Sequence, residues 1–557
     1  MKYFKFILVF FFIYLILVFP HIWKPLVADD IYFANSAKVP LSISDFGPRL
    51  HPPLYLHILR FFSQLFGVFD NGLRIIGIIC FLLNLILIYK LSQQAFHNER
   101  VGFLACLIFA LHPMAIQGSM ILDIDNTVLT VVLMLTVFYF SKNMYSLNFK
   151  TGFFLTLLFF CSLWAKFTTP FILMGSMLLF FIFKKDTKNA LKIFIISLSS
   201  ILVFLLMWRI YSRIFNFPFS GGIITHLLII RKFIRGVSFG PIQEFSLRIL
   251  RVSLWFGIYI ILFWIAIILR RIKVIGLKNK ELNSNDFLII YSICIFMGYT
   301  LIGGLFFGFA KYQYPMLPII SIIIANAILS FDLKSFKNNF FIYIIAAIIL
   351  VFLNNFILPD PIYQINYTLR KLSIFATSPI SSFIKTFSLQ IIFCFLLLFL
   401  FVEISRRIIR ESSFWQTFCF LLATFILINN FYTNIYLRKV DFFTTLCYGR
   451  DIREFKRVAN LCKEIAVKNK DKRIIAPEDI LYYADIKVFQ GYEKFWNRRD
   501  KFLRLIEKDK VDTIIYAFTY NPIFSYKNIF LDPSVFSQLK EKYTFTELKE
   551  HTIWQRK

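Results

Sequence analysis

Two adjacent carboxylates, Asp29 and Asp30, stand in Val27-Ala28-Asp29-Asp30-Ile31-Tyr32, just past a long apolar run at the N-terminus. A carboxylate at a membrane surface can take the proton from an acceptor hydroxyl as that oxygen attacks an anomeric carbon. Two side by side repel, raising the pKa of one, or they share a divalent cation. The plainer alternative is a solvated pair at a loop end. A second acidic pair, Asp123 and Asp125, lies in Leu122-Asp123-Ile124-Asp125-Asn126-Thr127, where an Asp at a helix entry is favourable on its own account. Lys166 and Lys311 each sit between or beside apolar runs. Basic side chains at membrane depth are costly and therefore functional candidates, although a lysine can also snorkel to the surface as an anchor. Arg49 and His51 precede the Pro52-Pro53 turn and are weaker candidates, His51 being well suited to an ordinary backbone hydrogen bond there.

The elements that must position these groups are apolar. The chain has 557 residues, 58% of them hydrophobic and 72 of them phenylalanine, which excludes an ordinary soluble domain. Runs long enough to cross a bilayer as helix lie near 5–22, 72–91, 101–121, 126–141, 152–167, 169–184, 193–211, 252–270, 287–306, 313–331, 339–358, 387–403 and 414–430, about thirteen spans in all. The net charge of +30 could suggest nucleic acid, but many of the basic residues cluster in short loops between spans, as in Arg270-Arg271-Ile272-Lys273, so no nucleic-acid partner is expected. Lys2 and Lys5 ahead of the first run resemble a signal peptide, yet no small-residue cleavage site follows, and the run reads as a retained span.

With a cytoplasmic N-terminus, the positive-inside rule sends loops 23–71, 212–251 and 359–386 and the C-terminal segment outside. The basic, apolar-interleaved loop 212–251 suits an interfacial helix facing lipid phosphates. Two domains are expected: a transmembrane module over 1–430 with its external loop 23–71, and an extracytoplasmic α/β domain over 431–557. The latter rests on strands at Ile474-Ile475 and Thr513-Ile514-Ile515-Tyr516 alternating with helical stretches near 450–468, 494–509 and 534–542. Six cysteines fall in apolar runs as packing residues, while Cys447 and Cys462 can pair if their segment is exported.

The acidic pair after the first span, then His51-Pro52-Pro53-Leu54-Tyr55, then a Phe/Leu-rich segment closing at Phe66-Gly67 and a span opening Leu73-Arg74, resembles the GT-C glycosyltransferases. The groups it is most similar to are the protein O-mannosyltransferases and the aminoarabinose transferases of lipid A. The resemblance continues through Ala110-Leu111-His112-Pro113, Asp123 to Thr127, Ala165-Lys166-Phe167-Thr168 and Lys311-Tyr312-Gln313-Tyr314-Pro315, over about the first 330 residues. It implies a polytopic α-helical membrane protein of GT-C type that moves a sugar from a polyprenyl-phosphate donor to a protein, lipid or glycan acceptor, with inversion, at the outer face of the plasma (inner) membrane.

On that resemblance Asp29 is the general base and Asp30 its acidic neighbour, where the family more often has Glu, and which of the two is the base stays open. Asp123 or Asp125, with Asp125 preferred, is the second acidic site that orients the acceptor or binds a metal. Lys166 and Lys311, with Arg49 and His51, would bind the donor phosphate. The metal requirement is open: Mg or Mn is the candidate ion and Asp30 and Asp125 the candidate ligands. Two rivals from other classes are a lipid-linked-sugar flippase or transporter and a polysaccharide polymerase or ligase. The transporter predicts ionisable groups near mid-span and paired broken helices. Here the acidic residues gather at external span ends instead.

Overall fold

The computed structural model of the chain describes residues 5–23, 26, 30, 33, 34, 37, 52–67, 70–215, 219, 249, 256, 259–275, 282–302, 310–330, 339–357, 396–408, 414–436, 464, 474–476, 490–491, 499–508, 510–517, 533–548 and 551–557. Asp29, Arg49, His51, Cys447 and Cys462 lie outside them, as does nearly all of loop 212–251.

Each of the thirteen apolar runs carries helix. In chain order the described helices of this part, single turns aside, are α1 (Lys5–Ile22), α2 (Leu54–Phe66), α3 (Asp70–Phe96), α4 (Glu99–Leu111), α5 (Pro113–Gly118), α6 (Thr130–Asn143), α7 (Phe149–Ala165), α8 (Thr168–Phe183), α9 (Thr187–Ile214), α10 (Tyr259–Ile275), α11 (Ser284–Ile302), α12 (Leu317–Leu329), α13 (Phe340–Ile357), α14 (396–408) and α15 (Phe414–Tyr436), with α2 outside the thirteen runs. The chain is a multi-pass membrane protein: Lys5–Ile22, Gly72–Phe96, Thr187–Ile214, Lys311–Leu329 and Gln416–Ile435 are each long and apolar enough to cross a bilayer. Lipid-type exposure follows one-sidedly on α9, where Phe194, Leu198, Leu202 and Leu206 are exposed while Ile193, Ile196, Phe204 and Trp208 are buried.

Three spans are broken or kinked at one end, and these ends lie close to the acidic segment 119–125. The run 101–121 stops at Leu111, because Pro113 lacks an N–H and disfavours helical geometry at His112. His112 turns extended, and its ring Nδ1 accepts from the Met114 N–H at 3.1 Å, capping the short α5. The run 126–141 opens with a kinked turn over Asp125–Leu129, broken at Thr127, whose φ of -117° and ψ of -105° are not helical, and bridged by the Leu129 N–H on the Ile124 carbonyl at 3.1 Å. The run 313–331 opens as a helical turn at Ala310–Gln313 and a 3-10 turn at Tyr314–Met316, and Pro315 and Pro318 lie at the first positions of their turns. At the other end of the bundle Arg270 grips Asp286 through two parallel hydrogen bonds of 2.9 and 2.8 Å, joining α10 to α11.

Near the C-terminus, α16 (Arg499–Lys508) and α17 (Pro533–Lys542) accompany five strands: β1 (Ile474–Ala476), β2 (Gln490–Gly491), β3 (Thr513–Ala517), β4 (Tyr543–Leu548) and β5 (His551–Arg556). The sheet order is β2-β1-β3-β5-β4, with β1 parallel to β2 and β3, and β5 antiparallel to β3 and β4. Trp554 pairs with Ile514 on one side and Phe545 on the other, and it is buried with Phe502, Ile506, Val535 and Leu539. The strands expected at Ile474-Ile475 and Thr513–Tyr516 are present, as are helices within the expected stretches 494–509 and 534–542, while the third, near 450–468, lies outside the described residues apart from 464. The β4–β5 hairpin was not anticipated.

Candidate active site

The breaks in α4, α6 and α12 converge on the segment 119–125, which is clamped from four sides. Arg74, buried on α3, donates through Nε to the Met120 carbonyl at 3.0 Å and through Nη1 to the Ile22 carbonyl at 2.9 Å. One guanidinium therefore ties the end of the first span to the acidic segment. From the loop after α1, the Asp30 carboxylate accepts the Leu122 N–H at 2.8 Å. The Ser119 hydroxyl lies 2.7 Å from that of Tyr14 on α1 and donates to the Ile116 carbonyl. Two glycines allow the approach. A Cβ on Gly77 would stand 1.7 Å from the Ser119 carbonyl oxygen, and one on Gly118 would stand 2.6 Å from the Tyr314 ring. No other residue type fits at Gly77 without moving backbone.

So held, the segment presents both of its carboxylates to lysines. The Lys311 ammonium donates to Asp123 Oδ2 at 2.9 Å, and the Lys166 ammonium makes a direct ion pair with Asp125 Oδ2. The backbone is bonded into the same knot. Asp123 Oδ1 accepts the Asp125 N–H at 2.9 Å, Thr127 Oγ1 donates to the Asp123 carbonyl at 2.6 Å, and Thr130 Oγ1 donates to that of Asp125. Lys166 has extended backbone between the end of α7 and the start of α8, and its N–H closes α7 on the Ser162 carbonyl.

The four charges cancel, which lets them be buried together: side-chain exposure is 5% and 3% for Lys166 and Asp125, and 15% and 4% for Lys311 and Asp123. Burial by itself would raise the Asp123 carboxyl, but the Lys311 and Lys166 charges and the Lys311 hydrogen bond outweigh it and hold the group below its ordinary value. Tyr312 lies among these charges. Lys166 Nζ stands 4.3 Å and Lys311 Nζ 5.4 Å from its ring centroid, and Tyr299 stacks on it at 5.6 Å. The Tyr299 hydroxyl is anchored 2.6 Å from Thr169.

Of the sequence-derived candidates, Asp123, Asp125, Lys166 and Lys311 thus form one cluster, and Asp30 is bonded to the segment that carries it. Asp29, Arg49 and His51 fall outside the described residues. Arg74, Tyr299 and Tyr312 were not singled out, though Arg74 and Tyr312 stand inside quoted motifs; a buried arginine in the first turn of a span is the signal that would have found one of them. Among the described residues no group of three or more His, Cys, Asp or Glu stands together. Asp30 is engaged by the Leu122 N–H and Asp125 by Lys166.

Residues 50–211 match the family model described as dolichyl-phosphate-mannose-protein mannosyltransferase. Among solved structures the chain is similar to ArnT from Cupriavidus metallidurans bound to undecaprenyl phosphate, with a TM-score of 0.54, 12% identity and coverage of 98% of this chain and 96% of that one. ArnT from the same organism in the apo state gives 0.52, 12%, 99% and 97%. The oligosaccharyltransferase of Archaeoglobus fulgidus in the apo form gives 0.47, 12%, 93% and 70%. No curated protein sequence matches. At such identities the likeness concerns the fold alone, one that this chain shares with ArnT over nearly its whole length.

Proposed function

We propose that this chain, built on the GT-C fold, transfers a sugar from a polyprenyl-phosphate carrier to an acceptor hydroxyl at the outer face of a plasma (inner) membrane, its N-terminus cytoplasmic. The observation that carries the reading is the burial of Lys166 and Lys311 together beside Asp123 and Asp125, at the broken ends of spans. Two lysines gathered in an apolar bundle answer the need of a lipid-linked phosphate leaving group.

In this reading the acceptor oxygen forms its bond to the anomeric carbon as the bond from that carbon to the phosphate oxygen breaks. The acceptor proton goes to Asp29, and the electron pair leaves with the polyprenyl phosphate. Lys166 and Lys311 stabilise the charge that grows on the phosphate as the bond breaks. Direct displacement from the opposite face inverts the anomeric centre. Asp30, through its bond to the Leu122 N–H, acts on the position of the 119–125 segment rather than on the acceptor. Protein, lipid and glycan acceptors all offer the hydroxyl this chemistry needs.

The test is transfer of radiolabelled sugar from polyprenyl-monophosphate donors in membranes carrying wild type or Asp29→Asn at matched protein levels. Transfer by wild type and its loss in the variant support the reading. A wild-type chain that moves no sugar from several such donors but changes lipid-linked sugar exposure across the membrane points to the flippase instead.

A further inference from the structure

At the end of α7 remote from Lys166, two basic loops are locked together. Segments 142–150 and 184–192 hold six lysines, at 142, 150, 184, 185, 188 and 192, against a single acid, Asp186. Lys192 Nζ donates to the Leu147 carbonyl at 2.7 Å, and Lys184 Nζ stands 4.5 Å from the Tyr145 ring centroid, so α9 and the α8–α9 turn are tied to the α6–α7 loop. The Asp186 carboxylate caps α9, accepting the Asn189 N–H at 3.1 Å and the Asn189 side-chain amide at 2.7 Å. Asp286, at the start of the neighbouring α11, is held by Arg270. Lys185 has a φ of 59°, the left-handed backbone that favours glycine at a helix end, and carries a charge there instead.

An exposed apolar stripe begins beside the exposed lysine at the start of each helix. On α7 Lys150 is followed at helical spacing by Phe153 and Leu157, and on α9 Lys188 is followed by Leu191 and Ile195, all four of them exposed. Phe149, beside Lys150, is 92% exposed. Leu147 meets Lys192, and a Cβ on Gly152 would lie 3.6 Å from Ile196, so the two helices run side by side in the same direction and their stripes start at one level. Acyl chains of any lipid suit the stripes. The lysines decide the headgroup: one with net negative charge is attracted to them, and a zwitterionic one gains little.

We propose that this end of α7 and α9 binds an anionic phospholipid, its phosphate held by Lys150 and Lys188 and an acyl chain laid along Phe153 and Ile195. The site lies about 24 Å along α7 from Lys166 and stands independently of the transfer reading.

The experiment measures lipid binding to the full-length chain in detergent micelles by native mass spectrometry, with phosphatidylglycerol and phosphatidylcholine of the same acyl chains. Wild type is compared with Lys150→Gln combined with Lys188→Gln, and with Lys540→Gln combined with Lys542→Gln, which removes equal charge from the C-terminal fold. All four lysines are exposed, so both variants keep the fold. Wild type should prefer phosphatidylglycerol, and the first variant should bind it about tenfold more weakly, near 1.4 kcal/mol, with phosphatidylcholine unchanged. The second variant should match wild type. Inorganic phosphate and glycerol 3-phosphate, which carry the charge without the chains, should leave bound lipid in place. Equal binding of the two lipids by wild type overturns the inference, as does a Lys150/Lys188 variant that binds phosphatidylglycerol as wild type does. Equal weakening in the Lys540/Lys542 variant makes the effect one of net charge and overturns it too. Displacement by the soluble phosphates makes this a free-anion site and not a lipid one.

Discussion

At the residue scale the cluster is a neutral knot of four buried charges, and its variants should behave accordingly. Removing one partner of a buried pair leaves the other charge uncompensated, at about 3–5 kcal/mol, whereas replacing both partners with apolar groups is close to neutral. Lys166→Met should therefore lower the thermal midpoint of the detergent-solubilised chain strongly. Lys166→Met combined with Asp125→Leu should recover most of that loss, while transfer stays abolished in both. A double variant no more stable than the single one would show that the pair is not the source of the effect. Asp123 adds a pH signature. Its folded pKa lies below the ordinary 3.8, so the unfolded chain binds the proton more readily. Its stabilisation is complete above that value and is lost as pH falls toward the folded pKa. Asp123→Asn should flatten this acid limb of the stability profile, measured by unfolding between neutral pH and strong acid.

At the element scale, the 119–125 segment is positioned by contacts that never touch the charges. Arg74 satisfies two buried carbonyls from two different elements. Arg74→Met removes charged hydrogen bonds generally valued at about 1.5–3 kcal/mol and orphans both acceptors. The expected outcome is a fall in transfer rate together with faster amide exchange across 119–125, with the far Arg270–Asp286 clasp unaffected. Gly77→Ala tests the same positioning by steric means. Its Cβ would overlap the Ser119 carbonyl oxygen, so the turn must move, and activity should fall more than for alanine at Gly175, where a Cβ meets nothing within 4 Å.

At the scale of the whole molecule, the exposed apolar face of α9 is a prediction about solvent. Leu202 stands 57% exposed near the middle of a 28-residue helix, so lipid rather than protein is its neighbour. Leu202→Lys should cost about 2.5–3.5 kcal/mol of insertion and reduce the fraction integrated in a glycosylation-tagged membrane assay. The C-terminal fold has an ordinary aqueous core by contrast. Truncating Trp554 to alanine should cost about 3–5 kcal/mol and open 499–557 to protease in the full chain while the bundle remains resistant.

The sequence alone carried the membrane class and the positions of the helical runs, because apolar length is a local property that a bilayer reads directly. It also determined that Asp123, Asp125, Lys166 and Lys311 needed explaining, since charge beside apolar sequence is conspicuous one residue at a time. Which lysine meets which carboxylate was decided only by tertiary structure. Lys311 is 188 residues from Asp123, and no periodicity links positions so far apart. The same holds for Asp30, whose partner is a backbone N–H 92 residues away, a group every residue has and no motif marks. Tyr312 read as one aromatic among many until the fold brought two ammoniums and a stacked Tyr299 to its ring. The kink at Thr127 was likewise invisible, because it arises from how the clamped segment enters α6 and not from the propensity of Asp, Asn or Thr.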